Sequence, residues 1–184
     1  YMLKPRLLDV LSAFIRSDSK ASSVSAVLAL SYIRPPNYTQ EMSGLLQGDP
    51  KKVLRKTIIL GLGYVRNNSQ AMDAILDEFH SEKEEIQIAV LDALQVSSQY
   101  RAVQFLANIM MAREESHSLR VRMNAASMIA ALYGKKAIPF LLNGLDDSDE
   151  RIVANTLEVL SLFRDKSLLV YFRTFLDSPV PRVR

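Results

Sequence analysis

Apolar residues recur along this chain at helical spacing, and the recurrence itself repeats. A β-branched residue opens each helical stretch, and small or apolar residues then share one face. The stretches begin at Val24 (VSAVLALSYI), Val53 (VLRKTIILGLGYV), Ile86 (IQIAVLDALQVS), Val121 (VRMNAASMIAALY) and Ile152 (IVANTLEVLSLF), and Val183 opens one more. The successive intervals are 29, 33, 35, 31 and 31 residues. A period this regular is the mark of a repeat architecture, in which each unit buries its apolar face only against its neighbours. No stretch alternates apolar and polar residues for long, so the expected fold is all-α.

Each unit reads as two helices. Ser148-Asp149-Glu150 supplies capping oxygens and negative charge ahead of Ile152, Val153, Thr156, Val159, Leu160 and Phe163, which fall on one helical face. Arg164-Asp165 makes a turn, and a second helix is expected from Ser167 to Leu176. In the preceding unit the helices are expected over Ser118 to Tyr133 and Lys136 to Leu145, with Gly134 as the C-terminal cap between them. Asp49-Pro50 starts another first helix, and Pro35-Pro36 divides an earlier pair. The unit boundaries become 1–19 (partial), 20–48, 49–81, 82–116, 117–147, 148–178 and 179–184 (partial), in one array. The half-units at the two ends suggest a piece of a longer protein, with open ends that could also pair with copies of themselves.

The run Leu119-Arg120-Val121-Arg122-Met123-Asn124-Ala125-Ala126, with Ala130-Ala131-Leu132-Tyr133-Gly134 after it, resembles HEAT repeats of the short, bacterial kind. The second-helix run from Lys136 to Asp146 (KAIPFLLNGLD) is similar to the same family, and the likeness extends over the chain from about residue 20. It implies a right-handed α-solenoid of stacked antiparallel helical hairpins, about five repeats with an incomplete one at each end. It also implies a scaffold that binds a protein or peptide on the concave surface lined by the second helices. The arginine after the apolar anchor pairs in this family with a turn aspartate, which makes Arg122 and Arg184 structural.

Placing the second helices in register on Phe79, Met110, Leu145 and Leu176 sorts their other positions. The exposed pairs become Asp73/Asp77, Gln104/Asn108, Pro139/Asn143 and Val170/Thr174, beside a column of Ala74, Phe105, Phe140 and Tyr171. The candidate partner groove therefore comprises Asp73, Asp77, Gln104, Phe105, Asn108, Phe140, Asn143, Tyr171, Arg173 and Thr174. It runs from acidic to neutral, with cations at Lys135, Lys136, Lys166 and Arg173. The competing reading is that Phe105, Phe140 and Tyr171 pack between units. A second candidate is a basic strip of Lys51, Lys52, Arg55, Lys56, Arg120 and Arg122 on the first helices, interrupted by Glu82, Glu84 and Glu85. Such a strip could follow a phosphate backbone.

Composition narrows the chemistry. Hydrophobic residues make up 48% and charged residues 23% of the 184, a globular balance, and a net charge of +3 gives little support to electrostatic nucleic-acid binding. With no cysteine, thiolate chemistry and disulfides are excluded, which fits a cytoplasmic setting. His80 and His117 are 37 residues apart without a ligand at helical spacing, and Gly61-Leu62-Gly63 lies within a helical pattern, where close packing explains it better than phosphate binding. No catalytic residue, metal site or cofactor is expected. No apolar run approaches the roughly 20 residues of a membrane helix. HEAT-like folds also include DNA glycosylases and lyase subunits. The chain has no tryptophan to stack on a flipped base and no lyase motif. The expected role is a non-catalytic binding scaffold.

Overall fold

The computed structural model describes residues 5–17, 19–48, 50–81, 83–97, 100–112 and 117–184. Asp49 and Glu82, assigned above to a helix start and to the outer strip, lie outside the described residues. Every regular element among those described is helical: α1 (Pro5–Ile15), α2 (Lys20–Ile33), α3 (Tyr38–Gln47), α4 (Lys52–Gly63), α5 (Ser69–Asp77), α6 (Glu84–Ser97), α7 (Tyr100–Met111), α8 (Leu119–Tyr133), α9 (Ile138–Leu142), α10 (Glu150–Ser161) and α11 (Leu169–Arg173). The chain divides into two compact units, Tyr1–Ser97 and Ser98–Arg184.

Local chemistry sets the helix ends. The Ser19, Asn68, Ser118 and Asp149 side chains accept backbone N–H groups at the starts of α2, α5, α8 and α10, as residues of this type do at an N-cap. Four hairpin turns each contain one left-handed residue: Arg34 (φ 49°), Asn67 (φ 54°), Gly134 (φ 54°) and Arg164 (φ 49°). Gly134 is the expected cap of α8, its N–H bonding to the Ala130 carbonyl.

In the first unit α2, α4 and α6 pack side by side, and α3 packs on α5 as a second layer. Two glycines allow this. A Cβ on Gly61 would meet the Tyr38 hydroxyl at 2.5 Å and also the Ser31 side chain, and one on Gly63 would meet the backbone of Ala93 at 2.6 Å. Beneath Gly61, the single Ser31 hydroxyl proton goes to the Val27 carbonyl (2.8 Å), so Tyr38 donates to Ser31 (2.7 Å). Burial pushes the Tyr38 phenol above its ordinary pKa, keeping it a donor. The Gly-Leu-Gly run is thus a packing device, as its position in a helix suggests.

In the second unit α8 packs against α7 and α10, and α9 folds back onto α8 and α10. Ala125 and Ala126 of α8 are buried, Ala154 of α10 packs with Val153 and Val183, and Gly144 brings the end of the second helix against Thr156. The second helices of the last two hairpins are shorter than the periodicity implies. Gly134–Ala137 and Asn143–Asp146 are wound as 3-10 turns around a five-residue α9, and Lys166–Leu168 does the same before α11. Leu176, placed in register with the buried Phe79, Met110 and Leu145, is instead 60% exposed, because regular helix ends at Arg173 and the next residues form turns.

By length and mean hydropathy, Leu119–Asp146 reaches the size of a membrane span, with 28 residues of continuous helical turns and a window averaging 1.2. Arg, Asn and Ser interrupt its apolar runs, so the sequence does not announce it. Gly134 folds it into the α8–α9 hairpin, so it is not one straight rod.

Candidate functional site

On α5 and α7 the second-helix residues fall where the register places them, whereas α11 buries none of its residues. In the first unit α5 buries Ala71, Met72 and Ile75 and exposes Asp73 and Asp77, with Phe79 inside just beyond its end. In the second unit α7 buries Ala102, Val103, Leu106, Ile109 and Met110 and exposes Gln104 and Asn108. The equivalent exposed positions are Pro139 and Asn143 at α9, and Val170 and Thr174 at α11. Thr174 Oγ1 donates to the Tyr171 carbonyl (2.6 Å).

The aromatic column is neither core nor free surface. Phe105 and Phe140 are half-buried, and Tyr171 is 43% exposed. Arg173 is exposed beside them. The second unit therefore presents amide and hydroxyl groups next to partly accessible rings. This composition suits protein partners, for which aromatic anchors supply area and neutral polar groups supply direction.

The basic strip does not survive as a strip. Arg122 is 2% exposed and belongs to the interior: its Nε and Nη2 donate to the Met110 carbonyl (3.2 and 3.1 Å), and Nη2 also pairs with Asp147. It closes the carbonyl end of α7 against the start of α8, the structural role that the family resemblance implies. On α4, Lys52 pairs with Glu85 and Arg55 with Glu78 (2.8 Å). Lys56 lies close enough to Asp92 to lower its pKa against the larger upward push of burial. Lys51 and Arg120 are exposed. The α4 cations thus face carboxylates of the neighbouring turn and helix. These partners lie 23 to 36 residues further along the chain, beyond the reach of helical spacing.

One turn contact was not foreseen. Lys135, after α8, bonds to Asp165, after α10, at 3.0 Å, and Asp165 also accepts the Ser167 hydroxyl (2.8 Å) and N–H (3.1 Å). The Lys135 bond, then the two Ser167 bonds, hold the Asp165 carboxyl down to about 2. A depressed folded-state value contributes stability that is present above the unfolded value of 3.8 and is lost as pH falls through about 2. In Lys135→Ala, an NMR titration of Asp165 is expected to rise part of the way towards the ordinary carboxylate value, since both Ser167 bonds remain. An unmoved titration would assign the shift to Ser167 alone.

No group of three or more His, Asp or Glu is placed to hold a metal ion among the described residues. His117 is half-buried, and burial, then the Arg122 charge, lowers its pKa, so it is neutral near pH 7. A cleft of about 360 Å³ between α1 and α2 is lined by Leu11, Phe14, Ala21, Ser22, Ser25 and Ala26, none of them an acid or base at ordinary pH.

Layered helical hairpins, glycine-mediated packing and a buried arginine at the α7–α8 junction define a helical-repeat protein. Residues 72–161 match the family model for HEAT repeats. A search of curated proteins finds no match. HEAT repeats are in general protein-interaction scaffolds.

Proposed function

We propose that this chain is a non-catalytic scaffold that holds a protein or peptide partner on the second-helix surface, with Gln104, Asn108, Asn143 and Thr174 as hydrogen-bonding positions and Phe140 and Tyr171 as anchors. The observation that carries the reading is the pairing of exposed amide and hydroxyl side chains with half-exposed rings at equivalent positions of successive hairpins. An extended segment has its own unsatisfied backbone groups, and such amides and hydroxyls can bond to them while the rings accept side chains. A nucleic-acid track on the first helices is disfavoured, because Lys52, Arg55 and Arg122 are occupied by carboxylates.

A photocrosslinking residue at Asn143, compared with one at the exposed outer position Ser127 on α8, tests this reading in the source cell. Capture of a discrete partner from Asn143 and not from Ser127 is expected. Phe140→Ala with Tyr171→Ala should weaken that partner's binding about tenfold, the scale of losing anchor contacts, with helical circular dichroism unchanged. Equal capture from both positions, or capture indifferent to the two rings, would defeat the second-helix assignment.

A further inference from the structure

The turns of the second unit carry charge that the fold does not use. Lys135 and Lys136 follow α8, and Arg164 and Lys166 flank Asp165 after α10. The Lys135–Asp165 bond at 3.0 Å ties these two turns together, so Lys136, Arg164 and Lys166 lie on the pair of turns that it joins. Lys136, Arg164 and Lys166 are exposed and have no ion-pair partner among the described residues. The α4 cations, which face Glu78, Glu85 and Asp92, show the contrasting pattern of charge neutralised within the fold. The carbonyl ends of α8 and α10 account for cations being favoured at these turns. They do not account for three that lack carboxylates. Leu162 stands two residues before Arg164 and is 76% exposed.

We propose that this turn edge, Lys135-Lys136 with Leu162 and Arg164-Asp165-Lys166, is a docking surface for an acidic protein segment that carries an apolar residue. Charge complementarity selects the occupant. Carboxylates on a peptide are discrete and can sit on either side of Asp165, which stays ionised at all ordinary pH. A nucleic-acid strand brings a continuous row of phosphates past that fixed negative charge, and an aliphatic leucine gives its bases nothing to stack on. One leucine is also a small apolar anchor for a bilayer, where stable attachment takes a larger buried face. This surface lies on the turns and not on the exposed pairs of the second helices, so it extends the scaffold reading without depending on it.

Fluorescence anisotropy with a labelled peptide of glutamates around one leucine tests the proposal. Parallel probes are the same peptide with glutamines for glutamates, an oligo-dT strand and phosphatidylserine vesicles. The acidic peptide is expected to bind at low salt and to weaken steeply towards about 0.15 M salt, as exposed charges are screened. Lys136→Glu with Lys166→Glu should weaken it about tenfold. Arg164→Gly, which suits the left-handed backbone and removes one charge, should weaken it less. Asn143→Ala with Tyr171→Ala should leave it unchanged, which separates this edge from the second-helix face. The proposal is overturned if the native chain ignores the acidic peptide, if the charge-reversed variant binds it equally, or if the oligonucleotide or the vesicles bind more tightly.

Discussion

Arg122→Ala is expected to destabilise the second unit by about 3–5 kcal/mol, the range for removing one member of a buried ion pair. Two partners lose their donor at once. Asp147 keeps a charge at a nearly buried position, and the Met110 carbonyl loses both guanidinium bonds at the end of α7. Water cannot replace them without opening the packing of α7 on α8. The test is urea unfolding combined with hydrogen exchange, and protection should fall first across α7, α8 and the turn at Asp147. Arg122→Met with Asp147→Leu should recover most of the loss, since apolar residues of similar volume often replace a buried pair at little cost. Recovery should stay incomplete because the Met110 carbonyl remains without its guanidinium donor. A loss below about 1 kcal/mol in the single variant, the scale of an exposed pair, would mean that Arg122 is not the junction bolt described here.

Glycine-to-alanine substitution should change sign between two helices of the first unit. At Gly63 the added methyl would lie 2.6 Å from the Ala93 carbonyl oxygen, 2.9 Å from its Cα and 3.0 Å from its Cβ. The first two are backbone atoms, so relief requires α4 and α6 to move apart. Overpacking of this kind costs about 1–3 kcal/mol, and alanine's better helix propensity offsets up to about 1 kcal/mol. A net loss of about 2 kcal/mol is expected for Gly63→Ala, and more for Gly63→Val. Gly44 lies in α3 with nothing within 4 Å of an added Cβ, so Gly44→Ala should stabilise by about 0.5–1 kcal/mol. Thermal or urea midpoints decide it. If both variants moved in the same direction, the close approach of α4 to α6 would not be what places glycine at position 63.

Much of this was legible in the sequence because helices convert spacing into facing. On α5 and α7 the exposed pairs Asp73/Asp77 and Gln104/Asn108 alternate with buried positions, since a period of 3.6 residues fixes which side chains share a face once a few core residues are known; on α11, which buries none of its residues, the exposure of Val170 and Thr174 owes nothing to that period. Gly134 and Asp149 could be read as caps because their chemistry is local. The burial of Arg122 came from the family resemblance and not from periodicity, which only placed it beside the anchor Val121. What stayed hidden was pairing at a distance: Lys52 with Glu85, Arg55 with Glu78 and Lys135 with Asp165 depend on how hairpins stack. Leu176 was misplaced for a different reason. Its spacing fits a longer second helix, and the chain leaves the helical path before reaching it.

The uneven helix lengths of the last two hairpins make them resemble a laminate with one stiff ply and one soft one. The 15 residues of α8 and the 12 of α10 form long ladders of backbone bonds, whereas α9 and α11 have five residues each and continue into tighter, weaker turns. When such a sheet is loaded, the soft ply lengthens or shortens while the stiff ply sets the bend. A guest settling onto the soft side could therefore draw neighbouring hairpins together or spread them without unravelling either layer.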